Sequence, residues 1–108
     1  MRRVLFDENF PRKLRRDLPE FVIRTVQEEG WSGFENGDLL GRAALDFDVF
    51  VTADQNLRYQ QNVTRFDIGV VAVETFDTTV DNLRRVLPQL RAAIETVAMG
   101  TILIVKVD

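Results

Sequence analysis

Two short apolar segments of this chain each end in an acidic residue. Residues 4–6 lead directly into Asp7, and residues 49–52 lead through Ala53 into Asp54. If both segments are parallel strands of one sheet, the two carboxylates lie side by side at its carboxyl edge, where open α/β sheets place their ligands. Carboxylates held close together repel each other unless a divalent cation lies between them. The pattern therefore predicts a magnesium or manganese site and phosphate chemistry.

A third acid, Asp38, begins the helix that precedes the strand carrying Asp54. A helix that feeds a parallel strand runs antiparallel to it, so its amino end lies near the carboxyl edge of the sheet. We therefore expect Asp7, Asp38 and Asp54 to converge, to hold one or two divalent ions and to carry catalysis. The uncharged neighbours expected to position water or phosphate oxygens are Asn9, Thr52, Asn56 and Asn62.

Each of these acids also has a structural interpretation. Asp7 follows a strand and could be a turn residue, Asp38 could complement a helix dipole, and Asp54 could cap a helix. Glu8 is expected at the surface. Asp46 and Asp48 border the start of a strand, far from the carboxyl edge, and are interpreted as structural.

Composition narrows the chemistry that the chain can perform. The 108 residues indicate one domain, and they include no cysteine and no histidine, which excludes disulfides, thiolate metal sites and the commonest general base. The net charge is −3, yet 7 of the 14 basic residues lie in the first 24 positions. Contacts to a nucleic-acid backbone are expected from Arg12, Lys13, Arg15 and Arg16, the alternative being a solvated helix face.

The order of elements predicts a single three-layer α/β/α domain with a mostly parallel five-stranded sheet and the first strand near its centre. The last strand could lie antiparallel at an edge. Strands are expected at residues 2–6, 21–26, 48–52, 68–73 and 101–107. A first helix is expected after an Asn9 cap, with Pro11 in its first position. Two more are expected at residues 38–45 and 55–62. The last helix should begin at a Thr78-x-x-Asp81 capping box, and Pro88 should kink or divide it.

Two further expectations concern surfaces. The loop from Glu29 to Asn36 should pack Trp31 or Phe34 against the domain or a second copy, since two large aromatic side chains among glycines are costly to leave in water. No segment approaches the roughly 18 to 20 apolar residues that cross a bilayer, and the basic start of the chain is too short for a signal peptide. A cytoplasmic protein without membrane contact is expected.

Three motifs of the chain resemble a known family. They are residues 5–11 (Leu-Phe-Asp-Glu-Asn-Phe-Pro), residues 36–40 (Asn-Gly-Asp-Leu-Leu) and residues 51–57 (Val-Thr-Ala-Asp-Gln-Asn-Leu). In order and spacing they are similar to the short stand-alone PIN-like proteins, many of which are toxin components of bacterial toxin–antitoxin pairs. The resemblance implies an endoribonuclease dependent on Mg²⁺ or Mn²⁺, often dimeric and often blocked by a small antitoxin protein. It places the acidic ligands at Asp7, Asp38 and Asp54.

Two alternatives remain beside the ribonuclease. Full-length PIN ribonucleases carry a further Glu on a middle helix that this chain lacks, and Asn56 stands where a second Asp is frequent, which favours a catalytically weak or inactive module that binds a protein partner or RNA. A receiver-like regulatory domain is the second alternative, because Asp7, Glu8 and Asp54 imitate its acids. Lys106, however, lies inside the last strand rather than after it.

Overall fold

An all-parallel sheet of five strands, in the order β2-β1-β3-β4-β5, runs through the middle of the molecule. The computed structural model describes residues 1–54 and 63–107, so the helix or turn expected at residues 55–62, with Asn56 and Asn62, lies outside the described residues. The strands are β1 (Arg3–Phe6), β2 (Val22–Thr25), β3 (Val49–Thr52), β4 (Gly69–Glu74) and β5 (Ile102–Lys106). All five expected strands are confirmed. The last one is parallel and lies at an edge, and β1 lies next to the central strand.

Both faces of the sheet are covered, because alternate residues of its inner strands enter two separate apolar clusters. In β1, Val4 and Phe6 enter one cluster while Leu5 enters the other. In β3, Val49 and Val51 likewise separate from Phe50. Two cores with a sheet between them make three layers, as the alternation of elements predicts.

Helical segments form the two outer layers. A 3₁₀ helix, Arg12–Asp17, and two α-helices cover the face of Val4 and Phe6, and the α-helix Asn36–Asp46 covers the face of Leu5. The α-helices are α1 (Val26–Glu29), α2 (Asn36–Asp46), α3 (Val80–Arg84) and α4 (Leu87–Thr96), and a second 3₁₀ turn spans Val63–Arg65. None of the described helices is long and apolar enough to cross a membrane.

The predicted start of the first helix is wrong in one respect. Phe10, Leu14 and Leu18 are buried as the four-residue spacing predicts, but Pro11 precedes the first helical residue and no side chain caps the helix. Asn9 does not act as the cap because its Oδ1 accepts a hydrogen bond from the Ala53 N–H at 3.1 Å. The Asn9 side chain, which we predicted to cap the helix, is therefore bonded to a residue 44 positions along the chain.

The helical region before β5 is divided at Pro88. Two helices, α3 and α4, meet there, and Pro88 occupies the first turn of α4, where the missing N–H costs nothing. The predicted capping box is wrong. Thr79 rather than Thr78 caps the helix by accepting a hydrogen bond from the Asn82 N–H, and the Asn82 side chain donates to Thr75 and Asp77 instead of completing a box. The apolar stripe of this region packs into the core as its spacing predicts; Leu83, Leu90, Ile94 and Val97 are buried, and Val80 and Leu87 are partly buried.

Contacts at the amino ends of the strands hold the chain termini and the layers together. The Arg2 guanidinium donates to the carbonyls of Ile94 and Val97 at 3.1 and 2.9 Å. Asp48 Oδ2 accepts from the Arg3 N–H at 2.8 Å, and the Asp46 carbonyl accepts from Arg3 Nε at 2.8 Å. The Asp48 carboxylate therefore has the structural role that was predicted, whereas Asp46 takes part through its backbone carbonyl and the role of its side chain stays a prediction.

The loop after β2 contains one helical turn that the sequence analysis did not predict. Thr25 and Glu28 form a reciprocal capping box that begins α1, and the Glu28 carboxylate also receives two hydrogen bonds from Arg15, at 2.8 and 3.1 Å. Thr25-x-x-Glu28 has the capping-box spacing, so the signal was present in the sequence. Beyond it, Trp31 packs edge-on against Phe47 with ring centroids 6.3 Å apart, which confirms that the loop packs against the domain.

Replacing Glu28 by Gln should lower stability by about 1 kcal/mol or less at neutral pH, since Gln keeps the cap but loses the ion pair. Arg15 lowers the pKa of Glu28 to about 2, so this contribution is present above the ordinary pKa of the carboxyl and disappears as the pH falls toward 2. Urea unfolding of both proteins from pH 7 to pH 3 measures the effect. The gap between them should narrow with acid, and a constant gap would contradict this role.

Candidate metal centre

Asp7 and Asp54 follow neighbouring parallel strands at the carboxyl edge of the sheet. Phe6 lies beside Val51 in the register of β1 and β3, and the Asp7 N–H donates to the Val51 carbonyl at 2.9 Å. Asp7 therefore continues the ladder one residue past β1, level with the end of β3. The two strand ends that the sequence predicts to be adjacent are adjacent.

A single buried hydroxyl connects the two acidic residues. Thr52 is fully buried and donates its O–H to Asp7 Oδ2 at 2.6 Å. The same oxygen accepts a hydrogen bond from the Asp54 N–H at 3.0 Å. Thr52 thus fixes the rotamer of one carboxylate and the backbone that carries the other.

The charge of Asp54 contributes to the electrostatics of Asp7. Burial raises the pKa of Asp7 above its ordinary value, while hydrogen bonds from Thr52 and from the Glu8 N–H oppose that rise. The negative charge of Asp54, and then that of Glu8, raises the pKa further. A half-buried carboxylate that must share its surroundings with another negative charge is costly to ionise.

Asn9 and Glu8, the polar neighbours of Asp7 and Asp54, form hydrogen bonds that hold the surrounding backbone. The Asn9 amide, through the bond to Ala53 described above, holds the turn between β3 and Asp54. Glu8 is exposed, as predicted, and its Oε1 accepts a hydrogen bond from the Gly33 N–H at 2.9 Å. Glu8 therefore fixes the loop after α1.

Asp38 lies in the first turn of α2, as predicted, and its side chain is exposed. It lines a cavity of about 390 Å³ on the outer side of α2, together with Phe34, Gly37, Gly41, Arg42 and Leu45. Within residues 1–54 and 63–107, no three acidic side chains form a group that could hold a metal ion. The structure brings Asp7 and Asp54 together, and the participation of Asp38 stays a prediction.

The basic residues expected at a nucleic-acid backbone fall into two kinds. Arg15 is committed to Glu28 by the two hydrogen bonds described above. Arg12, Lys13 and Arg16 are exposed, and all four residues line a small cleft of about 160 Å³ on the 3₁₀ helix. Three exposed basic side chains and the Arg15 guanidinium, which is bonded to Glu28, therefore share one surface. This surface lies on the same face of the sheet as Phe10 and Leu14.

No protein-family model, curated protein or solved structure matches this chain. The resemblance to PIN-like proteins therefore rests on the sequence motifs alone, and the chemistry of the site rests on its own residues. The donor set suits a hard cation, because Mg²⁺ is commonly held by one or two carboxylates with water completing the shell. Each Asp7 oxygen accepts one hydrogen bond, from Glu8 or Thr52, which leaves a lone pair on each.

Thr52→Val tests the hydroxyl bridge at nearly constant volume. It removes the bond to Asp7 and leaves the Asp54 N–H without its acceptor, so we expect a loss of about 1–3 kcal/mol in the free energy of unfolding. Thr52→Ser keeps both bonds and loses one methyl group, so it is the matched control and should cost less. Denaturant unfolding decides, and equal losses in the two variants would contradict a role for the hydroxyl.

Proposed function

We propose that this protein is a metal-dependent ribonuclease in which Asp7 and Asp54 hold Mg²⁺ or Mn²⁺. The observation that carries the proposal is the placement of Asp7 and Asp54 at the ends of two neighbouring parallel strands, where Thr52 bonds to the carboxylate of Asp7 and to the backbone N–H of Asp54. Negative charges brought together at the place where such sheets bind ligands are relieved by a bound cation. Asp38 is proposed to join them as a third acid from the start of α2.

The chain's own groups have defined tasks in this proposal. A bound Mg²⁺ or Mn²⁺ supplies charge stabilisation to the phosphate oxygens and acidifies water. Asp7 and Asp54 bind it, Thr52 keeps Asp7 in one rotamer, and Asn9 holds the turn before Asp54. Because the chain has no histidine, proton transfer falls to carboxylates and water.

The biological setting of the proposal follows from the sequence motifs. Their resemblance to PIN-like toxins supports RNA as the substrate, a bacterial toxin–antitoxin role, a small antitoxin protein as partner, and a homodimer. A ribonuclease of this kind meets its substrate in the cytoplasm. The exposed cations Arg12, Lys13 and Arg16 support a polyanionic substrate, since phosphate backbones bind through such side chains.

The test is cleavage of single-stranded RNA by the purified protein with Mg²⁺, with Mn²⁺ and with a chelator. We expect cleavage with either metal, half-maximal at about 1 mM or above because few protein ligands are offered, and none with the chelator. Cleavage that persists in chelator would overturn the metal requirement. Intact RNA across both metals would overturn the ribonuclease.

A second candidate is a PIN-like module that binds RNA or a protein partner without cleavage. It is favoured by the acid count, because the described residues bring two carboxylates together where three were predicted. A site with fewer carboxylate ligands binds a divalent metal ion less tightly. RNA that is bound in the same samples but recovered intact would support this second function.

A further inference from the structure

A cleft of about 400 Å³ lies beside Asp7, on the side away from Asp54. It is lined by Phe10, Arg12, Thr25, Gln27 and Glu28. Its place follows from backbone contacts, because Thr25 of β2 lies beside Phe6, the residue before Asp7. Since β1 lies between β2 and β3, the cleft and Asp54 flank Asp7 from opposite sides.

Two further contacts join the cleft to the segment that carries Asp7. The Phe10 N–H donates to the Asp7 carbonyl at 3.0 Å, and Gln27 Nε2 donates to the Glu8 carbonyl at 3.3 Å. A ligand in the cleft would therefore adjoin the backbone segment that carries Asp7.

The walls of the cleft are rigid and partly apolar. The Phe10 ring is buried and packs edge-on against Phe6, with centroids 4.8 Å apart. Glu28 is held by Arg15 and by the Thr25 N–H, so its negative charge is compensated within the wall. The wall carries no uncompensated acid to repel a phosphate.

The polar groups that remain are those that recognise a nucleotide. Among the described residues, Arg12 makes no ion pair and no hydrogen bond, so its guanidinium is available for a phosphate. The Gln27 amide uses one N–H on Glu8, which leaves its oxygen and its other N–H for the edge of a base.

Arg12 also joins this cleft to the basic one on the 3₁₀ helix. It lines both, with Phe10 and Gln27 on one side and with Lys13 and Arg16 on the other. Next to the segment that carries Asp7, the surface therefore forms first the cleft lined by Phe10 and Gln27, and then the basic cleft lined by Lys13 and Arg16. A ligand that follows this course has a base-sized group near Asp7 and further phosphates beyond Arg12.

We propose that this cleft binds one nucleotide of single-stranded RNA, with its phosphate on Arg12 and its base hydrogen-bonded to Gln27, above the buried Phe10 ring that closes the cleft. The cleft has the size of small-molecule sites, and only an unpaired strand can insert a base into it. The inference rests on the proposed function for the identity of the substrate, and it adds the path of the strand and the residues that select it. An acidic peptide could use the cations but has no base to place against Gln27.

Binding in chelator separates this inference from catalysis. Fluorescence anisotropy of short labelled RNAs at low salt should show micromolar or tighter binding of single strands and weaker binding of the matching duplex. Arg12→Gln should weaken single-strand binding roughly tenfold and reduce the slope of log K against log salt by about 0.7, the value for one phosphate contact. Gln27→Ala should alter the relative affinities of the four homopolymers.

Arg65→Gln is the matched control, because it removes the same charge from an exposed side chain that precedes β4, at the edge of the sheet opposite to Asp7 and Asp54. It should bind RNA as the unchanged protein does. If Arg12→Gln binds like Arg65→Gln, or if duplex binds as well as single strand, the inference is overturned while metal-dependent cleavage can still stand. If Arg12-dependent binding is found without cleavage, the nuclease proposal fails and the cleft remains. No RNA binding at low salt, or Arg12-dependent binding of a polyglutamate peptide only, overturns the inference.

Discussion

Asp54→Asn is expected to reduce metal-dependent RNA cleavage by about 100-fold or more, the usual cost of removing one preorganised electrostatic partner. The change removes one ligand charge and almost no volume, so circular dichroism and unfolding should stay close to those of the unchanged protein. Rates at saturating Mg²⁺ and Mn²⁺ measure the effect. Asp81→Asn is the matched control: it makes the same chemical change at a side chain that is 97% exposed on α3, and it should keep full activity.

Asp7→Asn should lose activity to a similar extent but should make the metal-free protein more stable at neutral pH. The pKa of Asp7 is raised in the folded state, so the folded state favours the protonated form and is destabilised as the pH rises and the carboxyl ionises. Asn stays neutral, can accept the Glu8 N–H and can donate to Thr52. Denaturant unfolding in chelator at pH 7 tests this, and a less stable Asp7→Asn protein would show that the carboxylate is kept for the fold rather than for a ligand.

Gly69→Ala should destabilise the fold by about 1–3 kcal/mol, because the new methyl group overpacks a filled core. Gly69 begins β4, and a Cβ there would lie 2.7 Å from one Val97 methyl and 3.2 Å from the Ala98 carbonyl oxygen. Neither group moves freely, since Val97 is a buried, β-branched residue and Ala98 presents its backbone. The free energy of unfolding in urea measures the cost.

The same substitution at Gly41 should have the opposite sign. Gly41 lies within α2, where a Cβ would meet only a Phe66 ring carbon at 3.8 Å, an ordinary contact. Alanine is favoured over glycine inside a helix by about 0.5–1 kcal/mol, so Gly41→Ala should stabilise the protein. If both variants shift stability in the same direction, close packing at Gly69 is not the cause.

The strands were predictable because a strand that is buried on both faces is a continuous run of apolar residues in the sequence. Residues 69–73 of β4 are apolar without interruption and all buried, as a covered parallel strand requires. The adjacency of Asp7 and Asp54 followed in turn from parallel pairing of β1 with β3. The direction of β5 was not readable, since a run of apolar residues pairs equally well in either direction until its connection to β4 is known.

The errors lie at helix caps, and at one of them, Asn9, a distant partner replaced a local one. Asn9 was predicted to cap a helix but bonds to Ala53, and Thr79 rather than Thr78 caps α3. Whether the Asp38 side chain meets the other two acids depends on the position of the start of α2 to within the length of a side chain. The order of helices and strands does not give that position. Helix boundaries and caps depend on such contacts more than strands do.

The bonds from Arg2 to the carbonyls of Ile94 and Val97 also govern when a newly made chain can fold. These partners lie 92 and 95 residues apart, and β1 likewise pairs with β3, whose residues are made much later. At a synthesis rate of about 5–20 residues per second, the amino-terminal strand waits on the order of 5–20 s for its last partner. Until then β1 can pair with β2 and β3, but the side chains of Val4 and Phe6 lack the cover of α4, and a chaperone can bind that apolar face.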